Sequence, residues 1–282
     1  MIIYLTGSSG YIGSSLKVKL NLLGYDVVPI HYKLFVENKG EMLHQLLSKS
    51  LIENNSIVIH LASAPTYTIN CLEYDIRSNV VGTENLIRET FKFGIRKFIV
   101  IGTCFEYGLS GNSTNTLSVK SDLRPLDNYS LSKVFQFYLC QSLAHKLSLD
   151  LSYLRPYQVY GGATEIKERL FPSLISAIKS NKDFKISAGT QIRDFIHIDA
   201  LTDFISDEIN FLSGFQVLNV ASGVGTSVKK FAEFFWKKYK AKSSLKFGAV
   251  DQKQPLLTRL VGEPSNNKNR RKLDPFHMYP HI

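Results

Sequence analysis

The first thirteen residues, M-I-I-Y-L-T-G-S-S-G-Y-I-G, constrain the chain more than any other stretch. Ile2, Ile3, Tyr4 and Leu5 form a short apolar, β-prone run that reads as a buried strand. Gly7, Gly10 and Gly13 follow at three-residue spacing, with Ser9, Tyr11 and Ile12 in the same turn. After Gly13, S-S-L-K-V-K-L-N-L-L-G places Leu16, Leu20 and Leu23 on one helical face, with Gly24 as the stop. Strand, glycine turn and helix together suit a dinucleotide pyrophosphate. Backbone comes close to the phosphates, and the helix N-terminus offers N–H groups and a positive dipole end. An ordinary strand–helix turn is the alternative, and the flanking strand and helix favour the nucleotide site.

The 282 residues exceed the usual size of one domain, so one large or two smaller units are expected. Hydrophobic content of 44% and charged content of 21% fit an ordinary globular protein. No apolar run approaches the ~20 residues of a membrane span, and the N-terminus enters a strand without a basic leader. The expectation is a cytoplasmic protein with no membrane partner. Cys71, Cys104 and Cys140 are scattered and odd in number, which reads as reduced thiols. The seven histidines lack ligand spacing, so no metal site is expected; His60, inside a strand, reads as a packed core residue. The net charge is +10, yet the only dense basic run is Lys268 to Lys272. Nucleic-acid binding is one reading of that charge. Attraction of a polyanionic cofactor and substrate is the preferred one, with no nucleic-acid partner.

Val27, Val28 and Ile30 form a second strand and complete a βαβ unit. An acid at its end would hold the ribose 2′-hydroxyl of NAD, while a cation accommodates the 2′-phosphate of NADP. The residues there are His31, Tyr32 and Lys33, with no acid until Glu37. That favours NADP(H), with NAD(H) possible; alternatively, Lys33 is a solvated loop lysine. A helix over 38–50, a strand from Ile57 to Ala62, a helix over 79–93 and a strand from Phe98 to Ile101 come next. The spacing then predicts a long helix from Tyr129 to Leu147 and a strand from Leu151 to Leu154. This alternation predicts a parallel sheet covered on both faces by helices. Beyond Pro156 the pattern changes to short strands at 184–186 and 217–220 and helices at 171–179 and 227–239. We assign residues 1–160 to a dinucleotide-binding domain and 161–282 to a smaller C-terminal α+β substrate-binding part, with about 191–225 returning to the first.

Tyr129 and Lys133 form Y-x-x-x-K, so they share one face of the long helix. A tyrosine exchanges protons near neutrality only if its pKa of about 10 falls, and a nearby ammonium favours the phenolate. An exposed helix face is the bland alternative. Thr103, at the end of a buried strand, changes the balance, because site residues gather at that edge of a parallel sheet. A hydroxyl, a tyrosine and a lysine converging on one oxygen beside a nicotinamide suit coupled hydride and proton transfer.

The ordered motifs T-G-S-S-G-Y-I-G, H-L-A-S, N-V-V-G-T-E-N-L, G-T-C-F-E-Y-G, Y-S-L-S-K, R-P-Y-Q-V-Y-G and R-D-F-I-H-I-D span residues 1 to about 263. They resemble the extended short-chain dehydrogenase/reductases, the NAD(P)-dependent sugar-nucleotide epimerases, dehydratases and 4-ketoreductases. The resemblance implies a Rossmann-type doubly wound parallel sheet. It also implies roles. Gly7, Ser9, Gly10, Tyr11, Ile12 and Gly13 would line the pyrophosphate, with His31 and Lys33 at the adenosine ribose. Leu61, Ala62 and Ser63 would run along the cofactor, Asn79 would brace the site, and Pro156 would pack by the nicotinamide. Thr103 would hydrogen-bond the reacting oxygen, Tyr129 would be the acid/base, and Lys133 would bind the nicotinamide ribose. Cys104 and Gln158 would contact the sugar nucleotide, Gln158 standing where the family usually has asparagine. Arg193 would clamp the diphosphate; a structural salt bridge with Asp194 or Asp199 is its alternative.

Dehydratases of that family carry Asp-Glu directly after the threonine, where this chain has Cys104 and Phe105. Glu106 falls one place late and is expected to point elsewhere. The stretches G-T-Q-I-R-D-F-I-H-I-D-A and K-F-G-A-V-D-Q resemble reductases of 4-keto sugars. The expected activity is therefore hydride transfer from NADPH to the C4 carbonyl of a nucleotide-linked 4-keto-6-deoxyhexose. The alternatives are a 4-epimerase with tightly bound NAD and a non-catalytic NADP-sensing scaffold. The resemblance implies a homodimer through the Tyr129–Leu147 helix and the one before it; Val134, Phe135, Tyr138, Leu139 and Leu143 give that helix more apolar surface than one buried face needs, the alternative being that the sheet covers them. The tail beyond Pro264 is expected to be loosely ordered.

Overall fold

The computed structural model describes residues 1–36, 40–48, 55–64, 71–251, 256–265 and 273–276. Strand β1 (Ile2–Thr6) leads into helix α1 (Tyr11–Leu22), and β2 (Asp26–Ile30) returns beside β1. Two short helices, α2 (Lys33–Val36) and α3 (Glu41–Ser48), precede β3 (Ile57–His60). The rest of the helix expected over 38–50 lies outside the described residues. Helix α4 (Leu72–Ile76), a π-helical turn (Arg77–Val81) and α5 (Gly82–Lys92) run on continuously to β4 (Lys97–Ile101). Helix α6 (Asn128–Leu147) then leads to β5 (Asp150–Pro156).

These strands form a six-stranded sheet in the order β2-β1-β3-β4-β5-β9, all parallel, where β9 is Phe215–Val220. It is a Rossmann-type α/β fold, and the chain crosses from one side of β1 to the other, the arrangement that opens a ligand crevice at the carboxyl edge. The strand sequences explain why both faces are covered. Ile3, Leu5, Ile57, Ile59, Ile99 and Ile101 point to one face, against Leu16 and Leu20 of α1 and Ile198, Leu201 and Ile205. Their alternates Tyr4, Val58, Phe98 and Val100 pack against Leu86 and Ile87 of α5 and Cys140 and Leu143 of α6.

The remaining elements are β6 (Gln158–Tyr160), α7 (Leu170–Lys179), β7 (Phe184–Ile186), β8 (Ile192–His197) and α8 (Ile198–Glu208), then after β9 the elements β10 (Gly225–Ser227), α9 (Val228–Lys238), β11 (Leu245–Phe247) and β12 (Arg259–Leu260). Strand β8 pairs with β6, β10 and β12 in a second sheet, while β11 pairs with β7. Because β6 begins two residues after β5 ends, this sheet starts at the carboxyl end of the first. Its core is aromatic: Tyr160, Phe171, Phe195, Phe231 and Phe235. Phe195 and Phe231 stack at 3.8 Å.

Three expectations change. Leu23 is 51% exposed rather than buried, because it is the C-cap of α1 and the chain turns away through Gly24 at φ +81°. The helix expected from residue 79 begins at Leu72, and its π-helical turn carries Asn79 into the interior. The expected strand to Ala62 stops at His60, because the backbone N–H groups of Leu61 and Ala62 both donate to Thr6 Oγ1, each at 3.1 Å. Within the tail, Pro275 accepts a hydrogen bond from the Tyr160 hydroxyl, and Phe276 lies 4.4 Å from the Phe234 ring. The basic run at 268–272 lies outside the described residues.

Candidate active site

The glycine turn is tight for a physical reason. Gly7 sits at φ +68°, and a Cβ there would approach Ala62 N to 2.7 Å. A Cβ on Gly13 would collide with the Gly7 carbonyl, while Gly10 N donates to that carbonyl at 3.0 Å. Gly10 caps α1 without a side-chain hydrogen bond, and no acid stands in the first turn. Ser9 and Gly10 are exposed, Tyr11 and Ile12 half-buried and Gly13 buried. A backbone cradle before an uncapped, acid-free helix N-terminus fits a pyrophosphate.

The neighbouring strand end is held by a polar chain. Thr6 Oγ1 lies 2.7 Å from His60 Nδ1, and His60 Nε2 lies 2.9 Å from Thr83 Oγ1. Burial drives the His60 pKa down to about 3, so the ring is neutral and structural. Asn79 Oδ1 accepts from Ser63 Oγ at 3.0 Å and Ala64 N at 2.9 Å. Asn79 Nδ2 donates to Ser132 Oγ at 2.9 Å, which ties the end of β3 to α6. Leu61 and Ala62 are half-buried beside Gly7, and Ser63 is exposed. His31 and Lys33 are exposed beyond β2, where Lys33 N donates to His31 Nδ1 at 3.4 Å. Tyr11 donates from its hydroxyl to Gly161 O at 2.8 Å, and Ser14 Oγ lies 2.9 Å from Thr164 Oγ1. The glycine turn is thus fastened to the loop after β6.

Thr103 lies two residues beyond the end of β4 and caps a short 3₁₀ turn, Cys104–Glu106. Its Oγ1 accepts from Phe105 N at 3.3 Å, and its own N–H donates to Glu106 Oε1 at 2.9 Å. Asp127 opens α6 through a capping box, accepting from Ser130 N at 2.7 Å and Ser130 Oγ at 2.6 Å. Tyr129 is therefore the second residue of α6, half-buried, and Lys133 lies one turn further on. Lys133 is buried, and its Nζ donates to Ile101 O at 3.0 Å and Gln136 Oε1 at 2.9 Å. Burial brings the lysine pKa down to about 8, with Glu106 and Cys140 acting in the opposite sense. The ammonium thus sits at the carbonyl of Ile101, the last residue of β4 and two residues before Thr103, at the carboxyl edge of the sheet.

Pro156 is buried at the end of β5, and Gln158 is half-buried at the start of β6. Cys104 is buried, and burial pushes its thiol up to about 12, so it is protonated. Arg193 is also buried. Its Nη1 donates to Ile192 O and its Nη2 to Leu257 O, both at 2.9 Å. The salt bridge considered for it is not what the described contacts give. Asp194 accepts from Ser222 N, Ser222 Oγ, Gly223 N and Gly262 N, while Asp199 faces His197 at 3.4 Å.

Sequence reasoning missed Arg155, Tyr153, Gln136 and Ser132. Arg155 Nε donates to Glu106 Oε2 at 2.7 Å, and both side chains are buried. Gly102 was the available signal. A Cβ there would collide with Glu106 Oε1 and the Tyr153 ring, so glycine makes room for the carboxylate.

The NAD dependent epimerase/dehydratase family model matches residues 3–210. A GDP-6-deoxy-D-talose 4-dehydrogenase from Aggregatibacter actinomycetemcomitans is 25% identical over 279 residues, 95% of this chain and 90% of the relative. A UDP-glucose 4-epimerase from Thermotoga maritima, solved with UDP-glucose, shares the fold at TM-score 0.82 and 20% identity, covering 94% of this chain and 90% of that one. RMD from Pseudomonas aeruginosa, solved with NADPH, does so at TM-score 0.79 and 18% identity, covering 94% and 90%. Because the family model covers most of its length, this chain belongs to the NAD dependent epimerase/dehydratase family, NAD(P)-dependent enzymes of nucleotide-sugar chemistry.

Proposed function

We propose that this chain is a cytoplasmic NADPH-dependent reductase of the C4 carbonyl of a nucleotide-linked 4-keto-6-deoxyhexose. The observation that carries the reading is the state of Cys104 and Glu106, in the turn that Thr103 caps. Cys104 is buried and protonated, and Glu106 is committed to Arg155, Tyr153 and the Thr103 backbone. Neither is placed to remove and return protons for water elimination. The exposed His31 and Lys33 beyond β2 favour the 2′-phosphate of NADP. The similarity to a GDP-6-deoxy-D-talose 4-dehydrogenase across nearly the whole chain supports C4 chemistry.

A bound nicotinamide supplies the hydride. Gly7, Ser9, Gly10, Tyr11, Ile12 and Gly13 hold its pyrophosphate. Leu61, Ala62 and Ser63 run beside it, and Asn79 braces that strand end. Pro156 packs at the nicotinamide. Thr103 and Tyr129 hydrogen-bond the carbonyl oxygen, and Tyr129 delivers the proton as charge develops there. Lys133 binds the ribose and favours the phenolate. Gln158 and Cys104 face the sugar nucleotide, and Arg193 exchanges its carbonyl partners for the diphosphate. Residues beyond 161, apart from the returning segment 191–225, form the substrate side. Of the apolar face expected on α6, Val134 and Leu143 are buried within the protomer, while Phe135 and Tyr138 are 43% and 54% exposed and are assigned to a homodimer contact.

Tyr129→Phe tests the reading. With a GDP- or dTDP-linked 4-keto-6-deoxyhexose, NADPH oxidation should fall about 10²- to 10⁴-fold while NADPH binding is kept. Full turnover in that variant overturns the assignment. A 4-epimerase is the second reading, favoured by the fold likeness to the UDP-glucose 4-epimerase. Protein that purifies with tight NAD and interconverts C4 epimers without added cofactor would establish it.

A further inference from the structure

Glu106 is buried at the junction of β4, β5 and α6, and the catalytic reading gives it no task. Its Oε1 accepts from Thr103 N at 2.9 Å and from the Tyr153 hydroxyl at 2.9 Å. Its Oε2 accepts from Arg155 Nε at 2.7 Å. The Tyr153 hydroxyl also lies 3.0 Å from the backbone carbonyl of Lys133. One carboxylate therefore touches the backbone of the threonine directly and that of the lysine through a single hydroxyl. Arg155 is clamped in turn, with Nη1 3.1 Å from the Tyr107 hydroxyl and its guanidinium 4.5 Å from the Phe137 ring centre. With both oxygens engaged the Glu106 carboxylate is held in one place, while Arg155 Nη2 is buried without a hydrogen-bond partner.

Resting on the site proposed above, we propose that Glu106 is a positioning residue: its carboxylate fixes the Thr103 backbone and supplies the buried counter-charge for the Lys133 ammonium. The direct partners of Lys133 Nζ, Ile101 O and Gln136 Oε1, are neutral. The titratable groups around it are Glu106 from the 3₁₀ turn, His60 from β3, Tyr153 and Arg155 from β5, and Tyr129 and Cys140 from α6 itself. His60 is neutral, and burial keeps the Cys140 thiol and the Tyr153 phenol protonated. Burial raises the Glu106 pKa and the Arg155 guanidinium, 2.7 Å from Oε2, opposes that rise; as the partner of that guanidinium, Glu106 is the anion of the set. The Lys133 ammonium meets Ile101 O and the Glu106 carboxylate meets Thr103 N two residues further along the same strand end, so in this dry interior the carboxylate's charge favours the ammonium.

The test uses NADPH affinity of the full chain, read by NADPH fluorescence from pH 6 to pH 10. Wild-type affinity should fall as Lys133 loses its proton near pH 8, and Lys133→Met should lack that limb. A wild type and a Lys133→Met variant with the same profile would refute the site itself. If the limb belongs to Lys133, Glu106→Gln should move it down by about one pH unit. The double variant E106Q/R155M removes both charges and restores folding if the single variant is unstable. It should keep the lowered limb. A limb left at the wild-type pH in a folded E106Q or E106Q/R155M protein overturns the proposal and leaves Glu106 as the partner of Arg155 alone.

Discussion

At the scale of single residues, His60 shows how a titratable group can serve the fold rather than the chemistry. Both ring nitrogens are engaged by threonine hydroxyls, and burial keeps the ring neutral down to about pH 3. The unfolded chain takes up a proton at its ordinary pKa of 6.5, which the folded chain refuses. The folded state therefore binds fewer protons between these values, and its stability falls as pH falls from 6.5 to 3. The loss from this group is on the order of a few kcal/mol over that window. Asp194 opposes it: burial raises its pKa to about 6, so the fold holds that proton more readily than the unfolded chain does. In urea unfolding at about pH 7 and about pH 5, His60→Gln should lose less stability on acidification than wild type, because the opposing groups Asp194 and Glu165 remain. An unchanged dependence would mean that His60 is protonated in the fold.

Among the elements, α6 matters most, because it carries Tyr129 and Lys133 and packs on β5. Its start is set by Asp127, whose carboxylate satisfies Ser130 N and Oγ. A free N–H at a helix end costs stability, and losing such a cap typically costs about 1 kcal/mol. Asp127→Ala should lower stability by that amount. It should also reduce turnover more than NADPH affinity, since Tyr129 lies in the first turn and Lys133 beyond it. Chemical denaturation with steady-state kinetics on the same preparation would check this. Equal losses in turnover and affinity would show that the cap sets the whole helix rather than its first turn.

Across the whole molecule, the two sheets meet where the glycine turn grips the loop after β6, through Tyr11 to Gly161 and Ser14 to Thr164. The same fold leaves Phe135 and Tyr138 facing outward on α6. The dimer assigned to that face predicts that Phe135→Glu with Tyr138→Glu yields a monomer by size-exclusion chromatography with light scattering. Wild type that already elutes as a monomer would remove the assignment. No helix among the described residues is long and apolar enough to cross a membrane.

What the sequence determined by itself was set by local chemistry. The almost continuously apolar runs at Ile2–Leu5, Ile57–His60 and Phe98–Ile101, with helical stretches between them, dictate a parallel sheet with two covered faces. Gly7 and Gly13 dictate a close backbone approach, because a Cβ at either would collide with backbone. Y-x-x-x-K placed two side chains on one face because a helix repeats every 3.6 residues. Other features were decided only in three dimensions. Leu23 fits the apolar repeat but lies beyond the last turn of α1. Asn79 is turned inward by a π-helical turn that apolar spacing does not encode. Glu106 meets Arg155 across 49 residues of sequence, from a neighbouring strand. Pairing between distant segments depends on strand order and register, and neither is written in the local pattern of either segment.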